Sequence, residues 1–489
     1  MPFVFASQTK ANSLVAINGT YSNLFATPIT GLNATSTVSG QITLTWSGGL
    51  GNNVKYSYVL SNNTNPITII GALSGNGIGT PYSVTLTLSS ITSVTTTVTL
   101  TATVLGGSTS ATSNSITTVN TSPTITLSNG TGTVSTDVAS GTNTVSSTNY
   151  TIYSFQPSSI STGSTKTYSI SYSCSISKTA YILVVGGGGG GGAWNGGGGG
   201  GGGVISGNVI LPIAVTPITI NITVGGGGAG CIANYSTSVT APTSGQASSI
   251  SFPSTVSFTG TSGSNGTLTT YSTFTAGGGG YGAYLNVSAT SIQGANGGAN
   301  GGSGGGSGSA TFGTGNSSNL SANGTSGGSG IAVSAGSGGG GGANGNAINS
   351  TADAASSGGP GYNFTNSSFP LKGFIPTTNS SLNTTGSAYD QYYWGGGGGS
   401  NWAGKNGGNG GIGGGGGGGS YNSGSPAPNP GTGGSGINNG GAGTATSFYG
   451  NGGAGGANTG GGGGGAYNYQ SPTAGGNGGS GIVIIAFPS

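Results

Sequence analysis

Charge is almost absent from this sequence. Of its 489 residues, six are lysine and three are aspartate, and there is no arginine, glutamate or histidine. Charged residues make up 2% of the chain, whereas about 25% is usual in soluble domains. Without histidine there is no imidazole base for acid–base or serine–histidine catalysis, and Asp137, Asp353 and Asp390 are far apart in sequence. We therefore predict no catalytic residues and no enzyme activity.

The same shortage excludes several kinds of partner. Nucleic-acid binding requires clustered cations that neutralise phosphates, and the six lysines form no cluster. No run of about 20 apolar residues occurs, so we expect no membrane insertion. Metal-ligand spacing and a Walker motif are also missing, so we predict no metal site and no cofactor.

Cysteine is equally scarce, with Cys174 and Cys231 as the two copies. Two cysteines do not make a disulfide framework. They could form a single disulfide or remain two separate thiols, and the second interpretation is favoured.

Glycine, by contrast, is in excess, with 114 copies. Residues 1–180 contain 16 of them and residues 181–489 contain 98, so the composition changes sharply after "ISKTAYILVV" at 176–185. This change predicts a domain boundary near residue 180.

The first part of the chain has the pattern of strands. "GQITLTWSGGLGNNVKYSYVLSNN" at 40–63 and "PYSVTLTLSSITSVTTTVTLTATVLGG" at 81–107 alternate apolar residues with threonine and serine around turn signals. No convincing helix signature is present. The pattern resembles an immunoglobulin or fibronectin type III module, which implies a β-sandwich over residues 1–118 with Trp46 in its core.

Residues 119–180 continue the alternation through Ile152, Tyr153, Phe155, Tyr168, Ile170 and Tyr172. We interpret them as strands that lead into the glycine-rich part, with a small separate β module as the alternative. The predicted third domain spans residues 181–489.

The glycine tracts are bracketed by apolar strands, which a flexible linker would lack. Polyglycine can form extended polyproline II helices with three residues per turn, and several such helices can pack and exchange N–H···O=C hydrogen bonds. In runs such as "GKNGGNGGIGGGGGGG" at 404–419, every third residue would face outward. The predicted fold class is therefore all-β, with a β-sandwich followed by a β-framed domain of packed polyglycine II helices.

These motifs together resemble the glycine-rich domain of bacteriophage tail-fibre and adhesin proteins, also found in surface proteins of large DNA viruses. The resemblance covers residues 165–489 and depends on "ILVVGGGGGGG", "VISGNVILP", "ITINITVGGGG" and the final "GGNGGSGIVIIAF". It implies that loops between the tracts contact a host receptor. It also implies a location on the virion surface or outside the cell, and partners among capsid or fibre proteins and copies of this chain.

Aromatic residues cluster between the tracts, Trp194 among them, and tyrosine and tryptophan are effective contact residues on loops. They could contact a receptor, for which a glycan is the favoured ligand, or cap the ends of the bundle. The candidate receptor contacts are Tyr281, Tyr284, Tyr362, Phe364, Tyr389, Tyr392, Tyr393, Trp394, Trp402, Tyr421, Tyr467 and Tyr469.

Candidate N-glycosylation sites follow from Asn-x-Ser/Thr triplets, which arise by chance in a chain this rich in asparagine, serine and threonine. They include Asn18, Asn33, Asn129, Asn265, Asn286, Asn349 and Asn383.

The function that this sequence favours is that of a non-enzymatic viral surface or fibre protein that adheres to a host glycan. A purely architectural capsid decoration or filament subunit is the alternative. An ice-binding protein and a carbohydrate-active enzyme rank lower, the second because the chain has so few acids.

Overall fold

The structure of this chain is a computed structural model. It describes residues 14–15, 21–22, 26–36, 41–50, 54–61, 63–68, 81–87, 95–104, 107–117, 123–145, 147–234, 238–262, 270–284, 337–343, 346–347, 355–363, 393–400, 402–403, 406–421, 428–447, 449–468 and 472–489.

The chain divides into two units. The first contains Met1–Pro123 with the short segments Cys174–Ile176 and Ile213–Val215. The second contains Thr124–Ser173, Ser177–Pro212 and Thr216–Ser489. Residues 124–173 therefore belong to the glycine-rich unit and do not form a module of their own.

The first unit is built from two main antiparallel sheets. One has three strands in the order β3-β4-β7, the other has four in the order β10-β9-β5-β6, and two short pairs, β1-β2 and β11-β8, complete it. The strands are β1 Leu14–Val15, β2 Tyr21–Ser22, β3 Ile29–Thr35, β4 Gln41–Gly48, β5 Lys55–Leu60, β6 Asn63–Thr68, β7 Tyr82–Thr87, β8 Thr95–Thr96, β9 Val98–Val104, β10 Gly107–Thr112 and β11 Ile116–Thr117.

Alternation in the sequence produces the core of this unit. In β4, Ile42, Leu44 and Trp46 are buried, and the threonines between them are not. The buried residues of both sheets form one hydrophobic cluster, in which Leu100 of β9 also lies. The unit is therefore a β-sandwich with Trp46 in its core, as the sequence predicts.

The second unit contains a ten-stranded sheet and a series of short strands. The sheet has the order β12-β15-β18-β21-β17-β16-β31-β14-β13, with β22 paired to β21. Its strands are β12 Thr124–Asn129, β13 Val138–Val145, β14 Thr148–Phe155, β15 Thr165–Cys174, β16 Lys178–Val185, β17 Val204–Leu211, β18 Ala214–Gly225, β21 Ser248–Ser262, β22 Thr270–Ala276 and β31 Ile482–Pro488. A four-residue helix, α1 Val134–Asp137, is the one helix in the described part of the chain.

The short strands connect the glycine tracts. They are β19 Ile232–Asn234, β20 Ser238–Thr240, β23 Tyr362–Asn363, β24 Tyr393–Trp394, β25 Trp402–Ala403, β26 Ser420–Tyr421, β27 Ala445–Thr446, β28 Tyr449–Gly450, β29 Tyr467–Asn468 and β30 Thr473–Ala474. Most have two residues and pair with another short strand.

The strands that bracket the glycine-rich part are adjacent in the sheet. β16 enters the first tract, β17 leaves the second, and the C-terminal β31 pairs with both β14 and β16. Every residue of β31 is buried, as expected for a continuous apolar run in a central strand. Strand β31 is therefore paired with strands that begin before residue 180, which explains why residues 124–173 belong to the second unit.

The glycine tracts themselves are packed polyglycine II helices, as predicted. The amides of Gly186, Gly189 and Gly192 donate to the carbonyls of one neighbouring tract, 197–203, at 2.8 to 3.0 Å. The amides between them donate to two other tracts, 243–246 and 476–479, with the same three-residue spacing. A backbone with three residues per turn therefore bonds to a different neighbour on each of its three sides.

Candidate binding site at the distal end of the glycine bundle

The interior of the bundle consists of backbone alone. Five tracts that are glycine throughout or nearly so lie inside it, and we call them the core tracts: 186–192, 196–203, 395–400, 414–419 and 460–466. The first of these exchanges hydrogen bonds with six surrounding segments, namely 197–203, 226–231, 243–246, 279–282, 463–466 and 476–479.

This packing leaves no room for a side chain. A Cβ added to Gly190 would overlap the carbonyl oxygen of Ala229, and one added to Gly199 would overlap that of Gly189. Buried amides and carbonyls are satisfied by one another, so hydrogen bonds between backbones take the place of apolar side-chain packing. The result is a rigid support for whatever its ends carry.

Tracts around the core carry a side chain at every third position, and that side chain faces outward. In 406–412, Asn406, Asn409 and Ile412 are exposed, and the glycines between them are not. Asn406 Oδ1 accepts the amide of Asn429 at 2.7 Å, and Asn409 Oδ1 accepts that of Thr432 at 3.0 Å. Outward asparagines thus supply hydrogen-bond acceptors to backbone amides at the outer face of the bundle, where no further glycine tract is present to accept them.

The bundle has two different ends. The core tracts that follow β16 and precede β17 place Val185 and Val204 at the end next to the ten-stranded sheet, which we call the sheet end. An apolar cluster lies here, and it includes Trp394, Ala343 and Ile437. Tyr362 packs against the same cluster.

At the opposite end, which we call the distal end, the tracts turn or give way to short strands. The first two core tracts are joined there by Ala193-Trp194-Asn195. Tyr281 and Tyr284 lie near this end on another tract, 277–284, whose backbone is bonded to the bundle on both sides of Tyr281, and their ring centroids are 6.3 Å apart. Tyr421 of β26 stacks on Tyr467 of β29 at 5.5 Å.

A backbone hydrogen bond joins the Trp194 turn to the segment that carries Tyr467. The amide of Gly196 donates to the carbonyl of Ala466, the residue before Tyr467. Ala466 and Ala193 belong to one small apolar cluster with Cys231 and Ala233, and Tyr284 packs against that cluster. The Trp194 turn is therefore bonded to the segment before Tyr467, and Ala193 at its start belongs to the cluster that Tyr284 contacts.

Some of the predicted receptor contacts lie at the distal end of the bundle and others lie at the sheet end. Tyr281, Tyr284 and Tyr421 are partly exposed at the distal end, where Tyr467 is 8% exposed. Tyr393 and Trp402 lie in β24 at the sheet end and β25 at the distal end, respectively. Phe364, Tyr389, Tyr392 and Tyr469 lie outside the described residues.

The prediction for Trp394 is corrected by the structure. Its side chain is 1% exposed and belongs to the cluster at the sheet end, so it cannot contact a receptor from there. The physical reason is the direction of the tract that follows it: 395–400 runs away from the sheet, so the residue before it lies at the sheet end. Tyr362, only partly exposed, lies at the sheet end for a similar reason.

The favoured interpretation of the two cysteines is confirmed, because Cys174 and Cys231 are both buried thiols and form no disulfide. Burial raises the pKa of the Cys231 thiol to about 12, although a backbone hydrogen bond at Ala193 opposes that shift. A thiol with so high a pKa is a poor nucleophile at neutral pH.

Two of the candidate glycosylation sites fall on described residues. Asn33 in β3 and Asn129 in β12 are both exposed, and Asn129 Oδ1 accepts the amide of Val134. The others, Asn18, Asn265, Asn286, Asn349 and Asn383, lie outside the described residues.

One buried carboxylate lies away from the bundle. Asp137 is 1% exposed, and its Oδ2 atom accepts from Lys166 Nζ at 3.1 Å and from the Tyr168 hydroxyl at 3.0 Å. Burial alone would raise the pKa of Asp137, but hydrogen bonds from the Thr133 and Ser158 amides, Lys166 and Tyr168 hold it well below the ordinary value. The carboxylate is thus fixed in its ionised form, which suits a structural anchor.

Neither a metal centre nor a membrane-spanning helix is found in the described ranges. No group of three or more histidine, cysteine, aspartate or glutamate side chains there is arranged to hold a metal ion. No helix among those residues has the length and apolar character needed to cross a bilayer.

These features define a class of protein: a sheet-anchored bundle of polyglycine II helices. Comparison of the sequence with known families agrees, since a model described as "Glycine-rich domain" (Gly_rich_2) matches residues 158–457. The chain belongs to that glycine-rich domain family. No curated protein and no solved structure matches the chain.

Proposed function

We propose that this chain is a structural, non-enzymatic surface protein, carried on a virus particle or in an extracellular fibre, that adheres to a host receptor. The observation that carries the proposal is the difference between the two ends of the bundle. One end is joined to a ten-stranded sheet through an apolar cluster. The other presents the partly exposed rings of Tyr281, Tyr284 and Tyr421.

A rigid support suits adhesion because the contact residues lose little conformational freedom on binding. Tyrosine and tryptophan offer a large contact area for two side-chain torsions. The viral attribution comes from the resemblance of the glycine tracts and their bracketing strands to phage tail-fibre and adhesin domains. The three- and four-stranded sheets of the first unit support an immunoglobulin or fibronectin type III module as the part that joins the protein to its particle.

Deletion of the aromatic segment 388–402 is not a usable test, since it would remove the core tract 395–400. Single substitutions at the distal end avoid this difficulty. The labelled full-length chain should bind to some members of a panel of bacterial, protist and animal cells. Tyr281→Ala and Tyr421→Ala should each weaken that binding about tenfold or more.

Tyr271→Ala is the matched control, because Tyr271 is 44% exposed on β22 of the sheet and lies away from the distal end. It should leave binding unchanged. Equal binding by the wild-type chain and by both distal variants would contradict the proposal.

A purely architectural role is the second candidate, and the edges of the ten-stranded sheet favour it. In the described part of the chain the sheet ends at β12 and β13, whose sequences contain no charged residue. Uncharged edge strands are templates for pairing between molecules. Electron microscopy of the purified protein should then reveal filaments, and Thr126→Lys or Thr142→Lys, at exposed edge positions, should abolish them.

A further inference from the structure

We propose that Trp194 and Asn195 form a preformed platform for a neutral glycan at the distal end, with the sugar ring stacked on the indole. This inference rests on the proposed adhesive function and names its ligand class. The sequence places Trp194 among the aromatic residues between the tracts but not in the set of candidate receptor contacts. Its signal in the sequence is that Ala193-Trp194-Asn195 separates seven glycines at 186–192 from eight glycines at 196–203.

The backbone of this turn is the first argument. Trp194 has φ 59° and Asn195 has φ 58°, so two successive residues with side chains adopt the left-handed conformation. That conformation is costly for a bulky residue and carries no such cost for glycine. In a chain with 114 glycines, glycine at 194 would remove the strain. The tryptophan is therefore kept against a local stability cost, which is typical of a functional position.

The turn is also fixed from several sides. The Ser337 hydroxyl donates to the Asn195 carbonyl at 2.6 Å. The amide of Gly196 donates to the Ala466 carbonyl at 3.3 Å, and Gly192 donates to Gly197 at 2.9 Å. Both flanking tracts lie inside the bundle, so Trp194 is attached to its most constrained part. The residue is partly exposed, although its indole Nε1 atom is buried. Binding would then require little ordering.

The chemistry of the surroundings points to a neutral ligand. The negative charges of sialic acid, uronic acid and sulfate favour binding sites that contain cations, above all the planar fork of arginine. The whole sequence contains no arginine and six lysines. Of the described lysines, Lys166 pairs with Asp137, and Lys55 and Lys178 lie in strands β5 and β16. Aromatic faces flanked by amides and hydroxyls are suited to uncharged hexoses and N-acetylhexosamines.

The experiment is a printed array of neutral, sialylated and sulfated glycans probed with the labelled full-length chain. We expect binding to neutral glycans, and Trp194→Gly should weaken it about 30-fold, the equivalent of roughly 2 kcal/mol. Tyr271→Ala should bind as the wild type does. Because glycine relieves the backbone strain, the melting temperature of Trp194→Gly should be unchanged or higher.

A ring that only caps the bundle would give the opposite pattern, with a lower melting temperature and retained binding, and that result would overturn the inference. If Trp194→Gly lowers both quantities, Trp194→Leu decides, since leucine fills space without offering a flat face. Wild-type binding by Trp194→Leu, or a preference for sialylated or sulfated glycans, would also overturn it. Binding to cells but to no glycan would reject the platform and leave the adhesive function standing, whereas binding to neither would reject both.

Discussion

The interiors of the two units consist of different parts of the polypeptide. In the sandwich, Trp46 is fully buried and its ring lies 5.4 Å from that of Tyr56 and 5.5 Å from that of Tyr82. In the centre of the bundle, Gly190 has only backbone around it, and its amide donates to the Thr243 carbonyl at 3.0 Å. One interior is made of side chains and the other of hydrogen-bonded main chain.

This difference indicates which positions of each unit tolerate amino-acid substitution. A side-chain core can repack, because rotamers and neighbouring volumes adjust to a substitution of similar size. A core of packed backbones has no rotamers to adjust, and its buried glycine positions accept only hydrogen in place of a side chain. The bundle should therefore be the less tolerant unit inside and the more tolerant one at its outward third positions.

The largest effect is expected for Gly190→Ala. The new Cβ would overlap the Ala229 carbonyl and come 2.8 Å from the Gly230 amide nitrogen, and neither backbone atom can move without breaking its own hydrogen bonds. The second unit should lose on the order of 5 kcal/mol or fail to fold. Calorimetry of the full chain should then lack its transition and retain that of the first unit.

Gly441→Ala is the matched control. Its Cβ would lie 3.2 Å from the nearest atom, the amide nitrogen of Ala454, and the position is exposed. It should melt close to the wild type. Equal stability of the two variants would mean that the core tracts are less tightly packed than the structure indicates.

The next effect is expected for Trp46→Ala, which removes the largest side chain of the sandwich core. Such truncations cost about 3–5 kcal/mol. The transition of the first unit should move to lower temperature, and that of the second should stay. Trp46→Phe, which keeps an aromatic ring, should have a smaller effect; an equal shift of both transitions would contradict two separate cores.

A smaller difference in stability between the two units is expected at low pH. The pKa of Asp137 in the folded state lies below its unfolded value of about 3.9. Its contribution is therefore complete above that value and is lost as the pH falls through it and below. We expect Asp137→Asn to cost the second unit about 2 kcal/mol at pH 7.

The pH profile of the same variant is the control for this prediction. Wild-type protein should lose stability in the second unit as the pH falls from about 5 to below 2, and Asp137→Asn should lose much less. Parallel profiles for the two proteins would show that Asp137 is not the responsible group.

The smallest effect is expected for Asn409→Ala on the outer face. It removes the acceptor of the Thr432 amide and hydroxyl, both at 3.0 Å, at an exposed position where water can substitute. A loss of about 0.5–1 kcal/mol should follow. Ile412→Ala, at the next outward position and 43% exposed, should cost less stability. The reverse order would argue against asparagine side chains as the groups that satisfy the outermost backbone amides of the bundle.

Much of this architecture could be predicted from the sequence. Alternation located β4, β9 and the Trp46 core, and the bracketing apolar runs at 182–185 and 482–487 identified the strands that enter and leave the bundle. Uninterrupted glycine indicated packed helices, and the spacing of Asn406 and Asn409 indicated an outward face. Each of these depends on a local period, which the sequence contains directly.

The ends of the bundle could not be predicted in the same way. Whether an aromatic residue lies at the sheet end, like Trp394, or at the distal end, like Tyr421, depends on the direction of the adjoining tract. That direction follows from which tracts pair, and glycine tracts are nearly identical to one another in sequence. The pairing of β14 with β31 was equally hidden, because it joins residues more than 300 positions apart.

The threefold geometry of the core tracts restricts how such a gene can change length. One extra glycine would rotate every later residue of its tract by about 120°, so that each amide would face the wrong neighbour. Three extra glycines would restore the facing and lengthen the tract by a single turn of about 9 Å. Insertions and deletions within core tracts should therefore survive selection in multiples of three residues, or nine nucleotides, while the connecting segments vary freely in length.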